Sequence, residues 1–431
     1  MNELEIVGVT GRRLWDSRGR PALEVEIQLR GGAAGRAIAP AGASTGSGEA
    51  VDLRDGGPRF GGQDVRRALS AVNVEIRQEL LGADAGDQRA IDKSLIRLDG
   101  SPDKHRLGGN SLIATSMAVA HAAAAAHRQP LWRFLGGDEH ARLPLPEIQI
   151  FGGGAHAART VDVQDYLVCP VGAADFATAL DWSARVYQAA GEILEEAGRL
   201  RGVADEGGHW PAFEDNEQGV EMLLRAIERA DLTPGEDVAI SLDVAASEFW
   251  RDGRYLLAAE GRTLDSDGLC ELMLGWIDAY PIAMVEDPFA EDDREGFIRF
   301  TRAVGDRVQV IGDDYLVTRA ERVAAAAADR ACNAVLIKPN QAGTLSETRD
   351  ALDAARKAGW GAIASARSGE SEDTTIVHLA VGWGVTQLKV GSIARGERTA
   401  KWNEGLRIAE ALGGPGRLPG AETFPWGRRP A

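Results

Sequence analysis

Cysteine is scarce in this chain. Its three residues, Cys169, Cys270 and Cys332, are odd in number and far apart, so they form neither a disulfide framework nor a CxxC pair. That usage fits a reducing compartment, and a cytoplasmic location is the expectation. Long apolar runs are also missing, with no stretch near the roughly 18 residues of a membrane span. The Ala-rich segment 117–126 is short and broken by His121, so it reads as a buried helix. The opening residues, MNELEIVGVTGRRLWDSRG, lack a basic segment followed by an apolar one, and no signal peptide is expected. No block of five or six Lys/Arg occurs, and the net charge is −17, which disfavours nucleic acid as a partner. A small anion is still admitted, because a few local cations suffice to bind one. There is no fixed-period repeat and no low-complexity segment.

What is present suggests about two domains. The chain has 431 residues, 44% of them apolar, enough for a large core. Segments 5–10 and 22–29 alternate like strands around a turn at Asp16-Ser17-Arg18-Gly19. Residues 41–48 form a small-residue loop, and helical patterns follow at 65–81 and 110–127. The change of pattern at Arg142-Leu143-Pro144-Leu145-Pro146 marks a boundary, giving an N-terminal α+β capping domain at 1–140 and a second domain at 141–431. In the second, apolar β-branched runs at 164–168, 238–242, 282–285, 308–311, 334–337, 361–364 and 386–388 alternate with helical segments. Such alternation predicts an α/β domain with a parallel sheet and helical crossovers, closed as a (β/α)8 barrel.

Polar residues follow nearly every predicted strand. Asp243 ends ISLD, Glu286 ends IAMVE, Asp313 ends VQVIGD, Lys338 ends AVLIK, Arg367 and Ser368 follow IASA, and Lys389 ends TQLK. A charge beside a buried apolar run is costly unless paired or bound to metal. Any one of these acids alone reads as a helix cap or a surface ion pair. Together, on the strand-end face of a barrel, they read as an active site. Three carboxylates from successive strands make a hard-oxygen site suited to Mg²⁺. The matching chemistry is proton removal beside a carboxylate, with a strand-end lysine as base.

The chain resembles the enolase family over roughly residues 5–412. The motifs are DSRG at 16–19, GASTG at 42–46, ADEGG at 204–208, LDVAASEF at 242–249, VEDP at 285–288, IKPNQAGTLSET at 337–348, RSGESEDT at 367–374 and QLKVGS at 387–392. The resemblance implies an enolase-type barrel with an N-terminal cap, a lysine base and two Mg²⁺ per site. It gives Asp243, Glu286 and Asp313 as ligands of the first Mg²⁺ and Ser44, on a mobile loop, as a ligand of the second. Lys338 becomes the base, Lys389 and Gln164 the carboxylate partners, and Glu206 the acid that protonates the departing hydroxyl. Asp165 stands where the family has a glutamate assisting that acid. Arg367 and Ser368 would hold the phosphoryl group, with His156 closing over it. The positions of Arg18 and Glu410 imply a dimer interface, hence a homodimer or higher homo-oligomer.

Departures from the family pattern fall inside the site. Ala366 replaces a histidine, Gly152 an asparagine, Ala204 a glycine and Arg20 an asparagine, and Asp165 is a carbon shorter, about 1.5 Å, than the family's glutamate. Losing one donor at developing charge costs about 10²–10³ in rate, and a 1 Å misplacement about 10² more. The usual substrate should therefore turn over poorly. Ala366 and Gly152 are expected to open volume near the phosphoryl group. The substrate expected on that basis is 2-phosphonoformylglycerate, dehydrated to carboxyphosphonoenolpyruvate as in phosphinothricin-type biosynthesis, with Arg20 an added cation. The alternatives are an ordinary glycolytic enolase and a non-catalytic protein of the same fold. His209 is a candidate substitute for the missing histidine. His105, His121, His127, His140 and His378 read as structural, and Gly152-Gly153-Gly154 is not a phosphate loop because no Lys-Ser/Thr helix follows.

Overall fold

The N-terminal strands β1 (Ile6–Trp15), β2 (Pro21–Leu29) and β3 (Ala34–Ala39) form an antiparallel meander in this computed structural model, which describes residues 2–138 and 141–428. Helix Gly109–Ala126 packs across β2 and β3 and is buried along nearly its whole length. The approach is close enough to require glycine at Gly35, where a Cβ would lie 2.1 Å from the backbone N of Ala122. The predicted helix at 65–81 is one helical run from Arg66 to Leu80, with a wide turn at Val72–Ile76. The boundary expected after residue 140 lies outside the described residues, as does His140.

Eight strands then close a barrel: β4 (Leu145–Gly152), β5 (Asp165–Cys169), β6 (Ala239–Asp243), β7 (Ile282–Glu286), β8 (Gln309–Gly312), β9 (Ala334–Ile337), β10 (Gly361–Ser365) and β11 (Gln387–Lys389). β11 pairs with β4 to complete the ring. Two features differ from the sequence reading. β4 falls on the segment taken as a boundary, and β5 runs antiparallel to both β4 and β6 rather than parallel. The reason is the connection from Gly152 to Asp165, whose only helical piece is the short turn Gly154–His156. A parallel return usually runs through a crossover α-helix, which this connection lacks.

Helices following the strands start on side-chain caps. Asp175, Asp215, Asp265, Asp293 and Thr344 each accept a hydrogen bond from the N–H three residues on. The barrel interior is a small apolar cluster including Met284, Ile311, Leu336 and Ile363, with Phe424 of the C-terminal segment packed against it. The main core lies between barrel and helices and continues into the N-terminal sheet. Among the described residues no helix is long and apolar enough to cross a membrane.

Candidate active site

Strand direction gathers the site. β6 to β11 are parallel, so their C-terminal residues share one face of the ring. Because β5 is reversed, its first residue reaches that same face, and Asp165 stands opposite Asp243 in register. Gln164 therefore joins the strand-end residues although it precedes its strand.

Two lysines and three carboxylates interlock there. Lys389 Nζ donates to Asp243 Oδ2 at 2.8 Å and to Glu286 Oε2 at 2.6 Å. Lys338 Nζ donates to Asp313, whose other oxygen accepts from Gln341 Nε2 at 2.9 Å. Burial alone would lower both lysines. Asp243 and Glu286 instead hold Lys389 well above its usual range, and Asp313 raises Lys338. Glu286 is pushed far up by burial and by the neighbouring Asp243 and Asp313. Its Oε1 is buried without a partner, as is Gln164 Oε1.

That shortage of positive charge is the test of metal fit. Three buried carboxylates share two ammonium groups, and an orphaned carboxylate oxygen faces the deficit, so a divalent cation suits the donor set. Groups of acids or histidines whose ligand atoms all lie within 4.8 Å of one another occur twice among the described residues: Asp287, Asp313 and Asp314, and His156, Asp165 and Glu206. Asp287, which the sequence reading left without a role, accepts from the N–H groups of Asp313 and Asp314 at 2.9 and 2.7 Å and so aims the β8 end.

A second array lines the same cavity. His156 Nδ1 lies 2.9 Å from Asp165 Oδ1, and its Nε2 lies 3.8 Å from Glu206 Oε1. Burial would lower His156, but the Asp165 and Glu206 carboxylates raise it to about 9. Burial raises Asp165 to about 6 against the opposing pull of His156. Burial would raise Glu206 too, yet His156, Arg398, Lys389 and Lys338 together hold it low. Gln149 donates to Asp165 and accepts from the Gly208 N–H at 2.8 Å, tying the array to the loop of Glu206.

The small-residue loop closes the cavity. Ala41 and Gly369 exchange backbone hydrogen bonds at 2.9 and 2.8 Å. Arg367 donates to Ser44 O at 3.0 Å, to Glu49 Oε2 at 3.0 Å and to Asn340 Oδ1 at 3.0 Å. Gly42 is required here, since a Cβ would meet Arg367 Nη2 at 2.1 Å. The cavity beneath is small, about 20 Å³, and is bordered by Ser44, His156, Glu206, Lys338, Arg367 and Lys389 among others. Ser368 lies at its rim, where Arg18 Nη1 approaches the hydroxyl at 3.5 Å.

Comparison with known proteins matches two family descriptions: "Enolase, N-terminal domain" over residues 6–135 and "Enolase, C-terminal TIM barrel domain" over residues 140–425. Enolase 1 of Desulfitobacterium hafniense (strain Y51) is 46% identical over 427 residues, covering 98% of each chain. The chain belongs to the enolase family. As an enolase it is a hydro-lyase, from a family that acts on a small phosphorylated carboxylic acid and generally depends on Mg²⁺.

Within this enolase the departures take a new form. Gly152 opens no volume, contrary to the sequence expectation: a Cβ there would meet the Ala204 methyl at 2.4 Å. The Ala204 methyl occupies the space that a side chain at position 152 would enter. Ala366 does border free space, both the small active-site cavity and an adjoining one of about 30 Å³ lined by Ile38, Pro40, Met117, Pro339 and Ile376. His209 does not replace the missing histidine, because its Nε2 lies 2.9 Å from Tyr187 O and its ring stacks on Tyr187 at 4.1 Å. Arg18, expected at a dimer interface, donates within its own chain to Ala41 O at 2.8 Å and Gly42 O at 3.2 Å. Arg20 is exposed and close enough to Arg18 to lower its pKa, though burial lowers it more.

Proposed function

We propose that this hydro-lyase removes water from a 3-hydroxypropanoate bearing a phosphoryl or phosphonyl group at C2, with 2-phosphoglycerate giving phosphoenolpyruvate as the parent reaction. The observation that supports it most is that two proton-handling groups from different segments line one cavity: Lys338 at the end of β9, and Glu206 with His156 beside it.

Asp243, Glu286 and Asp313 would hold one Mg²⁺ and Ser44 a second. Bound there, Mg²⁺ supplies positive charge for the enolate and relieves the carboxylates now paired with lysine. Lys389 then binds the substrate carboxylate with Gln164 beside it. Lys338 takes the C2 proton, and the electron pair left on C2 delocalises into the carboxylate. The C3–O bond breaks as a proton passes to the leaving hydroxyl, which departs as water. Glu206 delivers that proton, and His156 stores it behind Glu206, its charge held by Asp165. Arg367 and Ser368 hold the phosphoryl end. A homodimer or higher homo-oligomer and a cytoplasmic location belong to the same reading and rest on family likeness.

A second reading concerns the group on phosphorus. Ala366 favours a substrate enlarged there, namely 2-phosphonoformylglycerate, dehydrated to carboxyphosphonoenolpyruvate. Arg18, whose Nη1 approaches the Ser368 hydroxyl, supplies cation for the added carboxylate, with Arg20 near Arg18. With Gly152 no longer opening volume, this reading rests on Ala366 and the arginines alone. The experiment is ³¹P NMR of purified protein with Mg²⁺, offered each compound separately. Fast conversion of 2-phosphoglycerate supports the parent reaction, selective loss of the phosphonoformyl compound supports the second, and silence on both removes the proposal.

A further inference from the structure

At the opposite end of the barrel lies a cleft that the chemistry above does not use. It opens to solvent, measures about 670 Å³, and is formed where β4 and β11 begin, by residues 135–137, 141–142 and 381–386 with Arg417, Pro419, Thr423, Arg349 and Arg356. Four arginines line it: Arg142, Arg349, Arg356 and Arg417. Among the described residues its lining holds no carboxylate, histidine or cysteine. This is unexpected in a chain with 65 Asp and Glu against 48 Lys and Arg.

The charge there is only partly compensated, although Arg356 also donates to Trp383 O and Gly384 O. Arg349 and Arg356 share a single acid, Asp353, at 3.0 and 3.4 Å. Arg142 and Arg417 have no ion-pair partner among the described residues. Burial first, then the neighbouring Arg349, lowers the pKa of Arg356, and the shared Asp353 only partly offsets this. Guanidinium groups present planar forks that match phosphate oxygens. Trp383 offers no stacking platform, because it is only 8% exposed and Arg349 already lies over its ring, 5.7 Å from the centroid. A ligand would thus be read through its anionic chain and not through a base. With no histidine, cysteine or carboxylate among the described lining residues, the cleft is suited to binding.

We infer that this arginine cleft is a second ligand site, taking a small polyanion with at least two linked phosphoryl groups. Bound there, the anion bridges Arg417 on the C-terminal segment to Arg349 and Arg356 on helix Leu345–Lys357. It thereby fastens the segment that carries Phe424 to the base of the barrel.

Inorganic pyrophosphate, titrated calorimetrically into the metal-free full chain, is the probe, with amide hydrogen exchange to locate it. The expected result is binding that slows exchange at 381–386. In R142E/R417E, affinity at that location falls about tenfold or more, as loss of charge-assisted contacts implies. R142Q/R417Q falls between, and circular dichroism confirms that both variants are folded. Protection confined to the 41–48 loop would place pyrophosphate at the catalytic site and overturn the inference. So would equal affinity in R142E/R417E, or no binding to the wild type.

Discussion

Asp165 holds the imidazole of His156 through both carboxylate oxygens, at 2.9 and 3.0 Å, and leaves Nε2 turned toward Glu206. The shortened side chain thus acts on Glu206 through a histidine. This gives the pair a signature in stability. The folded pKa of His156, about 9, lies above its unfolded value near 6.5. Its stabilising contribution is full below pH 6.5 and is lost as pH rises through 9. Relative to the neutral double variant H156Q/D165N, wild type should lose Tm advantage between pH 6.5 and 9 in metal-free buffer. A constant difference across that window would mean the imidazolium pair does not form.

Proton removal and water loss should be separable. Lys338 and Glu206 line the same cavity from different segments and have different proposed roles, so each variant should stop a different half of the reaction. K338A should abolish exchange of the C2 hydrogen of 2-phosphoglycerate with D₂O, with turnover down by at least about 10³. E206Q should lose turnover by a similar factor while C2 exchange persists. Loss of exchange in E206Q would place Glu206 on the same step as Lys338.

Much of this was legible from single segments. Asp243, Glu286, Asp313, Lys338 and Lys389 each stand at the end of an apolar run, where burial demands a partner, and that local conflict announces them. β4 was hidden because Pro144 and Pro146 look like a boundary. Its buried Glu147 and Gln149, facing Ser241 and Asp165, also break the apolar pattern of a core strand. The reversal of β5 depends on the length of a loop, which carries no hydrophobic period. Glu49 and Asp287, which hold Arg367 and the β8 backbone, look like ordinary surface acids until long-range contacts place them. The Gly152–Ala204 pairing could not be read because the two positions meet only in space.

Metal should stabilise as well as activate. The orphaned Glu286 Oε1 and the raised Glu286 carboxyl mark unmet negative charge. Mg²⁺ at about 100 times its Kd adds about 2.7 kcal/mol to the folded state. Tm should rise by several degrees on adding Mg²⁺ to EDTA-treated protein, and turnover should return with it. E286Q should lose most of that rise. An equal rise in E286Q would locate the cation elsewhere.

Restoring the family residues should expose which changes matter. A366H places a donor at the cavity edge, where space is open, and should raise turnover of 2-phosphoglycerate by about 10²–10³ if the parent reaction is held back there. The same variant should slow any turnover of 2-phosphonoformylglycerate by filling the volume an added group would use. G152N behaves differently, because the Ala204 methyl stands 2.4 Å from the new Cβ. Alone it should destabilise by about 1–3 kcal/mol through overpacking. Adding A204G should recover at least half of that loss, a coupling that urea denaturation of the four proteins in the cycle measures directly. Additive effects would show that a side chain at position 152 and the Ala204 methyl do not compete for the same space, and the compensation between them would then have to be abandoned.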